Sequence, residues 1–272
     1  MLAFDASAVS GAVLGWTFGG MRLRGFARAA LSPGALVPSA LEPNVARASE
    51  VHDAVARVAA ELSVGRAPVA IVAPQGVARL LLLDLPPGVD AMEFARFRFA
   101  DLPYPASEAV VDTLPVRGGR VVAAAIRRLV VEDYEAVVAA AGIEQDRFDL
   151  TSLAALAGLL KDPAGDGLVL DVILGDAAYA IAAHRGGVLS VIRHRRRDRR
   201  DGEGARLRAE AERTAALAGG MMDRIRVVGS GAETLLREWG SAGLAATAGW
   251  EGEGAGVPRD AGELPWLGAL LA

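Results

Sequence analysis

Residues 101–116 read DLPYPASEAVVDTLPV, and residues 121–157 read VVAAAIRRLVVEDYEAVVAAAGIEQDRFDLTSLAALA. Pro103 and Pro105 bracket a turn, and Gly118 and Gly119 separate two apolar runs, which is the pattern of a β-hairpin. Apolar residues at helical spacing follow, and Gly142 stands where a helix commonly ends on glycine. The stretch predicts strands at 110–116 and 120–126, a helix at 131–141, a strand at 147–149 and a helix at 151–160. Such a mixture indicates an α/β protein.

The same alternation continues on both sides of this stretch. Upstream, the patterns predict strands at 1–4, 12–16, 21–28, 69–73 and 78–83 and helices at 50–62 and 90–99. Downstream, they predict strands at 168–172, 177–183, 188–193 and 225–228, helices at 205–218, 233–240 and 264–271, and a mobile Gly/Glu-rich segment at 249–262. The polar stretch 161–167 separates two halves. Each half opens with an apolar strand, an aspartate, a turn of small residues and another strand, which indicates two related α/β units.

The composition excludes several classes of protein. The net charge is −4 and 52% of the residues are hydrophobic, so the sequence predicts a large core and gives no electrostatic reason to expect nucleic-acid binding. The absence of cysteine rules out disulfides and thiol chemistry, and the three histidines show no metal-ligand spacing. The first residues lack the basic and apolar regions of a signal peptide, and no apolar run reaches the roughly 18 residues that span a bilayer, so we expect neither. We therefore expect a soluble cytoplasmic protein with no direct membrane span and no metal site.

The opening stretch resembles the PilM-type actin-like proteins of type IV pilus machines. The resemblance is carried by the LPYP motif at 102–105 with Glu108 and Asp112, by the helix with Tyr134 and its AGI ending at 141–143, and by the segment that begins at Asp149. The chain is also similar to the cytoplasmic actin-like domain of GspL-type secretion proteins. The resemblance implies an α/β, actin-like (ribonuclease H-like) fold with two lobes. It divides the chain into a first lobe at 1–162, with a small subdomain inserted at about 35–117, and a truncated second lobe at 167–272. Only residues 194–224 stand where the family has a fuller second-lobe subdomain.

The resemblance also implies where a nucleotide would bind, since actin-like ATPases hold phosphate with two strand–turn–strand elements. In the first turn Asp5 matches the family pattern, and Ser7 stands where glycine is usual. In the second turn we align Asp171 with the family aspartate, so that Ile173 replaces a glycine; Gly175 and Asp176 follow. A β-branched residue and an extra negative charge there disfavour phosphate binding.

A third element resembles the family's adenosine motif at a strand-to-helix turn. It comprises Gly229, Gly231, Ala232 and Glu233, and its helix N-terminus offers backbone N–H groups. A tight structural turn explains the same residues equally well. Taken together, the three elements predict a degenerate nucleotide site in which ATP and Mg²⁺ bind weakly or no longer bind, and they predict no catalytic residue.

Aromatic residues are concentrated at Phe94, Phe97, Phe99 and Tyr104, and the last three are the candidate partner residues. Their spacing is typical of core residues, but in PilM-like proteins this subdomain helps to form a groove for a partner's N-terminal peptide. The arginine-rich run RHRRRDRR at 193–200 also has two interpretations. It is either a patch that binds anionic lipid or an acidic partner, or a solvated loop. No aromatic residue interleaves with it to stack nucleic-acid bases.

The leading hypothesis is a cytoplasmic scaffold, without ATPase activity, of a type IV pilus or type II secretion-like inner-membrane platform. The resemblance implies that it binds the cytoplasmic tail of a PilN-like bitopic membrane protein and is peripheral at the inner membrane. One alternative is an active ATPase or kinase of the actin and sugar-kinase superfamily, which the residues at the second turn argue against. Another is a polymerising actin-like protein, for which the sequence has no specific feature.

Overall fold

The computed structural model describes residues 1–18, 20–65, 68–161, 166–199, 201–244 and 246–248. In chain order the elements are β1 (Leu2–Asp5), β2 (Ala8–Thr17), β3 (Gly20–Ala30), α1 (Ala48–Glu61), β4 (Val69–Ala73), β5 (Ala78–Asp84), α2 (Ala91–Arg98), β6 (Ala109–Val116), β7 (Arg120–Arg127), α3 (Arg128–Ala140), β8 (Gln145–Leu150), α4 (Thr151–Leu159), β9 (Leu168–Leu174), β10 (Ala178–Arg185), β11 (Val188–Arg196), α5 (Glu203–Leu217), β12 (Arg224–Gly229), α6 (Ala232–Ser241) and β13 (Ala246–Ala248). Short 3₁₀ turns lie at Gln75–Val77 and Ala106–Glu108. The mobile segment predicted at 249–262 and the helix predicted at 264–271 lie outside the described residues.

Two five-stranded sheets have the same topology. The first has the order β3-β2-β1-β4-β8 and the second β11-β10-β9-β12-β13. In each sheet the first three strands in chain order form an antiparallel meander. The fourth strand pairs in parallel with the first, and the fifth pairs in parallel with the fourth. The sequence prediction of two related α/β halves is therefore confirmed. We call residues 1–161 the first lobe and residues 166–248 the second lobe.

A three-stranded antiparallel sheet of order β5-β7-β6 forms a separate layer of the first lobe. The hairpin between β6 and β7 turns at Gly118 and Gly119, both with positive φ, as the sequence predicts. Helix α2 packs its buried Ala95 and the following Phe99 on this sheet. The Asp90 side chain caps the helix by accepting the Glu93 N–H at 2.8 Å. The predicted insert at about 35–117 overlaps this layer, but α1 and β4 within that range belong to the core of the first sheet.

Each lobe has its own core, and a third cluster joins them. Helices α1 and α3 cover one face of the first sheet, and α5 and α6 cover one face of the second. Helix α4 packs against the opposite face of the second sheet, where apolar residues of both lobes meet: Val122, Leu156, Leu159, Ile173, Ala182 and Val228. This contact brings the β1–β2 turn of the first lobe beside the β9–β10 turn of the second.

The described residues between β11 and β12 form one helix, α5, and its flanking loops. No helix among the described residues is long and apolar enough to cross a membrane.

Candidate functional site in the cleft between the lobes

The β1–β2 turn and the β9–β10 turn face each other across the cleft. In the first turn Asp5 pairs with Ala8, and in the second the N–H of Gly175 donates to the Ala178 carbonyl at 2.9 Å. The two turns are joined directly, because the N–H of Asp176 donates to Asp5 Oδ2 at 2.9 Å. The other oxygen, Asp5 Oδ1, accepts the Ala6 N–H at 2.8 Å. Asp5 thus holds the turn of its own lobe and the turn of the other.

The carboxylate of Asp176 lies among donors from three separate segments of the chain. Ser7 Oγ donates to it from the first lobe. Ser230 Oγ donates to it at 2.8 Å from the turn before α6. Arg199, in the loop after β11, forms an ion pair with it and also donates to Ser230 Oγ at 2.7 Å. The Asp176 carboxylate is therefore the common acceptor of all three segments.

Arg197 joins two segments of the second lobe that border the cleft, the β9–β10 turn and the turn before α6. Its Nη1 donates to the carbonyls of Gly175 and Ser230 at 2.8 and 2.5 Å, and its Nε pairs with Glu203 Oε1 at 2.6 Å. The guanidinium is nearly buried, so these bonds are protected from water. Arg197 holds the β9–β10 turn against the turn before α6 at a fixed distance.

Glycines allow these segments to approach. An added Cβ at Gly229, whose φ is +101°, would lie 2.0 Å from the Leu174 carbonyl oxygen. An added Cβ at Gly175 would lie 3.1 Å from the Ala178 oxygen and 3.2 Å from Gln75 Nε2. Gly229 therefore needs glycine, because a Cβ would overlap the backbone of Leu174, whereas at Gly175 a Cβ would be a tight contact that the neighbouring groups would have to relax.

A buried glutamine of the first lobe supports the second turn from below. Gln75 Nε2, in the 3₁₀ turn after β4, donates to the carbonyls of Ile173 and Ala178 at 3.1 and 2.7 Å. Gln75 is 1% exposed. The sequence gives no signal for this contact, since its partner lies a hundred residues away and is backbone.

The two aspartates of the cleft have opposite electrostatics. Burial and the neighbouring carboxylate of Asp176 raise the pKa of Asp5 to about 6. Burial acts to raise the pKa of Asp176 as well, but hydrogen bonds from Ser7 and Ser230 and the charge of Arg199 outweigh it and lower that pKa below its ordinary value. Asp176 is therefore the carboxylate that stays ionised in this pair.

Most of the predicted nucleotide-site residues meet in this cleft. Asp5, Ser7, Gly175 and Gly229 lie at the three turns described above. Gly231, with φ of +78°, precedes the first turn of α6, which begins with the buried Ala232 and the exposed Glu233.

Asp171 is placed differently from the prediction. Strand β9 does not end there but runs on to Leu174, so Asp171 lies within the sheet and is 0% exposed. Its Oδ1 accepts from Arg226 Nε at 2.6 Å, and its Oδ2 lies 3.1 Å from His184 Nε2. Arg226 also donates to the Leu159 carbonyl of the first lobe at 2.8 Å. We call Asp171, His184 and Arg226 the core cluster.

The alignment of the second turn is wrong for the same reason. Ile173 does not occupy the turn but is fully buried in the cluster that joins the lobes. The turn itself begins at Gly175. An apolar strand carrying one aspartate looks like a strand that ends there, because the buried partner that neutralises the carboxylate, Arg226, lies far along the chain.

The arginine run is divided among several roles. Arg193 pairs with Glu210 at 3.2 Å, whereas Arg197 and Arg199 build the cleft. Sequence reasoning missed both cleft arginines, together with Ser230. The available signal was the position of the run, since a loop that leaves the edge strand of the second lobe passes beside the turns of that sheet.

The predicted partner residues do not lie together. Phe99 is 3% exposed and belongs to the core of the third sheet, whereas Phe97 is 75% exposed on α2. Tyr104 lines a groove of about 650 Å³ between the first lobe and β11, with the Arg127 guanidinium 6.0 Å from its ring centre. The groove is lined by Ala40, Leu41, Ala78, Arg79, Leu80, Leu102, Pro103, Tyr104, Ile192, Arg193, His194 and Arg195.

No known protein family matches the sequence, and no curated protein is detectably similar to it. Solved structures are similar. The structure of the PilM-PilN type IV pilus biogenesis complex matches with a TM-score of 0.74 and 18% identity over 99% of this chain and 95% of that chain. A Bacteroides thetaiotaomicron protein with an actin-like ATPase fold and unknown function matches with a TM-score of 0.58 and 13% identity over 99% and 93%. The cytoplasmic domain of EpsL, an inner-membrane component of the Vibrio cholerae type II secretion system, matches with 0.54 and 9% over 84% and 80%.

These likenesses show that the chain has the actin-like fold. The resemblance to PilM-type and GspL-like proteins that the sequence indicates is confirmed at the level of the fold.

The side-chain donors that converge in the cleft are already bonded to the Asp176 carboxylate. A phosphate needs unoccupied donors, and here Ser7, Arg199 and Ser230 already donate to the Asp176 carboxylate. A phosphate placed among them would also face a carboxylate that stays ionised. At about 4 Å and an effective dielectric near 20, two like charges repel by about 4 kcal/mol.

Proposed function

We propose that this protein is a cytoplasmic actin-like scaffold of a type IV pilus or type II secretion-like inner-membrane platform. In this proposal it binds the cytoplasmic tail of a PilN-like bitopic membrane protein and has no ATPase activity. The observation that carries the proposal is an actin-like fold whose converging cleft donors, Ser7, Arg199 and Ser230, are bonded to its own Asp176 carboxylate. The likeness to a PilM-PilN complex and to the EpsL cytoplasmic domain supports the choice of machine.

The groove beside Tyr104 is the proposed site for the tail. Its two long walls are β5 and β11, which are edge strands of the third and second sheets. An extended peptide can pair its backbone with such an edge while its side chains enter pockets between the walls. The apolar side chains of Leu41, Leu102 and Ile192 would cover the apolar residues of the tail.

Isothermal titration with Mg-ATP tests the loss of nucleotide binding. We expect no heat of binding from protein whose fold is verified by circular dichroism, because the phosphate donors are occupied. Micromolar binding by the wild-type protein would contradict the proposal and favour an active ATPase of the same fold.

Fluorescence anisotropy with a labelled peptide tests the partner site. The probe is the synthetic N-terminal tail of a PilN-like protein encoded in the same genome. Tyr104→Ala should weaken binding at least about tenfold, which corresponds to about 1.4 kcal/mol. Phe97→Ala is the matched control, because it also removes an aromatic ring from the same subdomain but lies outside the groove, and it should change the affinity less than about twofold. Equal losses in the two variants, or no binding by the wild type, would contradict the proposed site.

A further inference from the structure

The Asp176 carboxylate is bound as a separate anion would be bound. Its three side-chain donors come from the first turn of the first lobe, the loop after β11 and the turn before α6, and none belongs to the hairpin that carries Asp176. Hydroxyl and guanidinium donors that converge in this way form a site suited to an oxyanion. We call Ser7, Arg199 and Ser230 the oxyanion cage.

The charge around the cage favours an anion at its centre. Arg199 pairs with the carboxylate, and the charge of Arg28 on β3 also acts to stabilise its ionised form. The carboxylate keeps its charge although the side chain is only 12% exposed. If the carboxylate were removed, Arg199 and Arg28 would face one remaining carboxylate of the cleft, Asp5, so positive charge would predominate among these three groups.

The backbone of the turn does not depend on the Asp176 side chain. The N–H of Asp176 bonds to Asp5, and among the described non-glycine residues only Ser63 has a positive φ. Alanine can therefore adopt the backbone conformation of residue 176 without strain. Replacing the side chain should empty the cage and leave the turn in place.

We propose that Asp176 is an internal ligand of the cleft: its carboxylate occupies an oxyanion site built by Ser7, Arg199 and Ser230, and an inorganic phosphate can take its place when it is removed. This deepens the proposed function, because it explains how the lobes stay joined at the cleft without a nucleotide. In the wild-type protein the anion that links Ser7 to Ser230 is the Asp176 side chain. Because this side chain is part of the second lobe, the link is always present.

The experiment compares thermal unfolding of the wild type and Asp176→Ala in potassium phosphate and in potassium chloride at equal ionic strength. Asp176→Ala should lower the Tm in chloride by about 4 °C or more. A shift of this order is typical of losing one ion pair and its accompanying hydrogen bonds in a chain of 272 residues. Phosphate should restore at least about half of that loss, because it binds only the native cage. Phosphate also stabilises proteins without binding, so the result is the shift of the variant in excess of the wild-type shift.

Two further variants separate binding in the cage from other effects. Asp201→Ala removes an exposed carboxylate from the neighbouring loop and should show no excess shift. The triple variant Ser7→Ala/Asp176→Ala/Ser230→Ala lacks two of the three donors and should lose the phosphate effect. If Asp176→Ala does not fold in chloride, its refolding yield in phosphate replaces the Tm, and equal yields in the two salts overturn the proposal.

The same assay with Mg-ATP distinguishes this inference from the proposed function. An Asp176→Ala variant without an excess phosphate shift, beside a wild type that ignores ATP, overturns the oxyanion cage and leaves the scaffold proposal standing. ATP binding by the wild type, beside an excess phosphate shift in the variant, supports the cage and overturns the proposed loss of nucleotide binding. An ATP shift confined to the variant supports the cage and shows that the phosphates of a nucleotide can also reach it.

Discussion

Two arginine–aspartate pairs of the second lobe lie in very different surroundings. The aspartate of the first pair, Asp171, lies on β9, and that of the second, Asp176, lies on the turn that follows β9. Arg226 and Asp171 are fully buried, with Arg226 Nε 2.6 Å from Asp171 Oδ1, and His184 completes the group. Arg199 and Asp176 lie at the mouth of the cleft, where the arginine side chain is 48% exposed. The first pair sits between the second sheet and α4, and the second joins the turns of both lobes.

The difference in burial determines what each pair can do. Burying two charges costs a large desolvation free energy, which their mutual attraction offsets. Removing one partner therefore leaves the other as an uncompensated charge out of contact with water. A half-exposed pair loses less when it is broken, because solvent replaces part of the interaction. The core cluster should therefore govern whether the second lobe folds, and the cleft pair should govern what the folded cleft can bind.

The core cluster carries the largest expected effect. Arg226→Met should lower the free energy of unfolding by about 3–5 kcal/mol, because it leaves the buried Asp171 carboxylate with only His184 beside it and the Leu159 carbonyl without the Arg226 donor. Urea unfolding followed by circular dichroism measures the loss.

The double variant Asp171→Leu/Arg226→Met tests whether the unpaired charge is the cause. Without a buried carboxylate, it should recover at least half of the loss shown by Arg226→Met. If the two substitutions simply add, the pair is not coupled and the contrast with the cleft loses its basis.

The pH dependence of stability gives the second prediction, at Asp5. Its pKa is about 6 in the folded protein and ordinarily 3.8, so its protonated form favours the native state and stability falls as pH rises from about 4 to about 6. Asp5→Asn cannot titrate. The free energy of unfolding of the variant minus that of the wild type should therefore fall by about 1–3 kcal/mol when the pH is lowered from 7 to 4.

The difference between the two proteins is the quantity to measure, because His194 acts in the opposite direction. Burial lowers the pKa of His194 to about 4, so its contribution to stability is lost as pH falls below its ordinary value of 6.5. This term is common to both proteins and cancels. A difference that stays constant between pH 7 and pH 4 would show that burial and the Asp176 carboxylate do not raise the pKa of Asp5.

The sequence predicted the fold well because the signals that define it are local. Glycine pairs, a helix that ends at Gly142 and apolar runs of strand length fixed most elements to within a few residues. The errors arose where a strand is buried on both faces: β9 is apolar on both sides of Asp171, so nothing local distinguishes a buried aspartate from one that ends the strand. The match for that aspartate, Arg226, depends on sheet order rather than on neighbouring sequence.

The candidate site was predictable only in outline for a related reason. Asp5, Ser7, Gly175 and Gly229 sit at turns that local patterns reveal. Arg199, Asp176 and Ser230 acquire their roles by meeting across three segments, and no spacing in the sequence encodes that meeting. Arg199 is also one arginine among six in its run, and the run as a whole suggested a surface patch.

The smallest expected effect on the free energy of unfolding belongs to a third pair, in which both side chains are exposed. This pair shows what an arginine–carboxylate contact contributes without burial. Arg208 and Glu212 lie one helical turn apart on α5 at 3.0 Å, with side chains 39% and 52% exposed. The positive residue precedes the negative one, which is the less favourable orientation on a helix. Arg208→Ala should change the free energy of unfolding by less than about 0.5 kcal/mol, measured by the same urea titration in low salt. A loss above about 1 kcal/mol would mean that exposure does not rank these pairs, and the cleft and the core cluster would then have to differ for a reason other than burial.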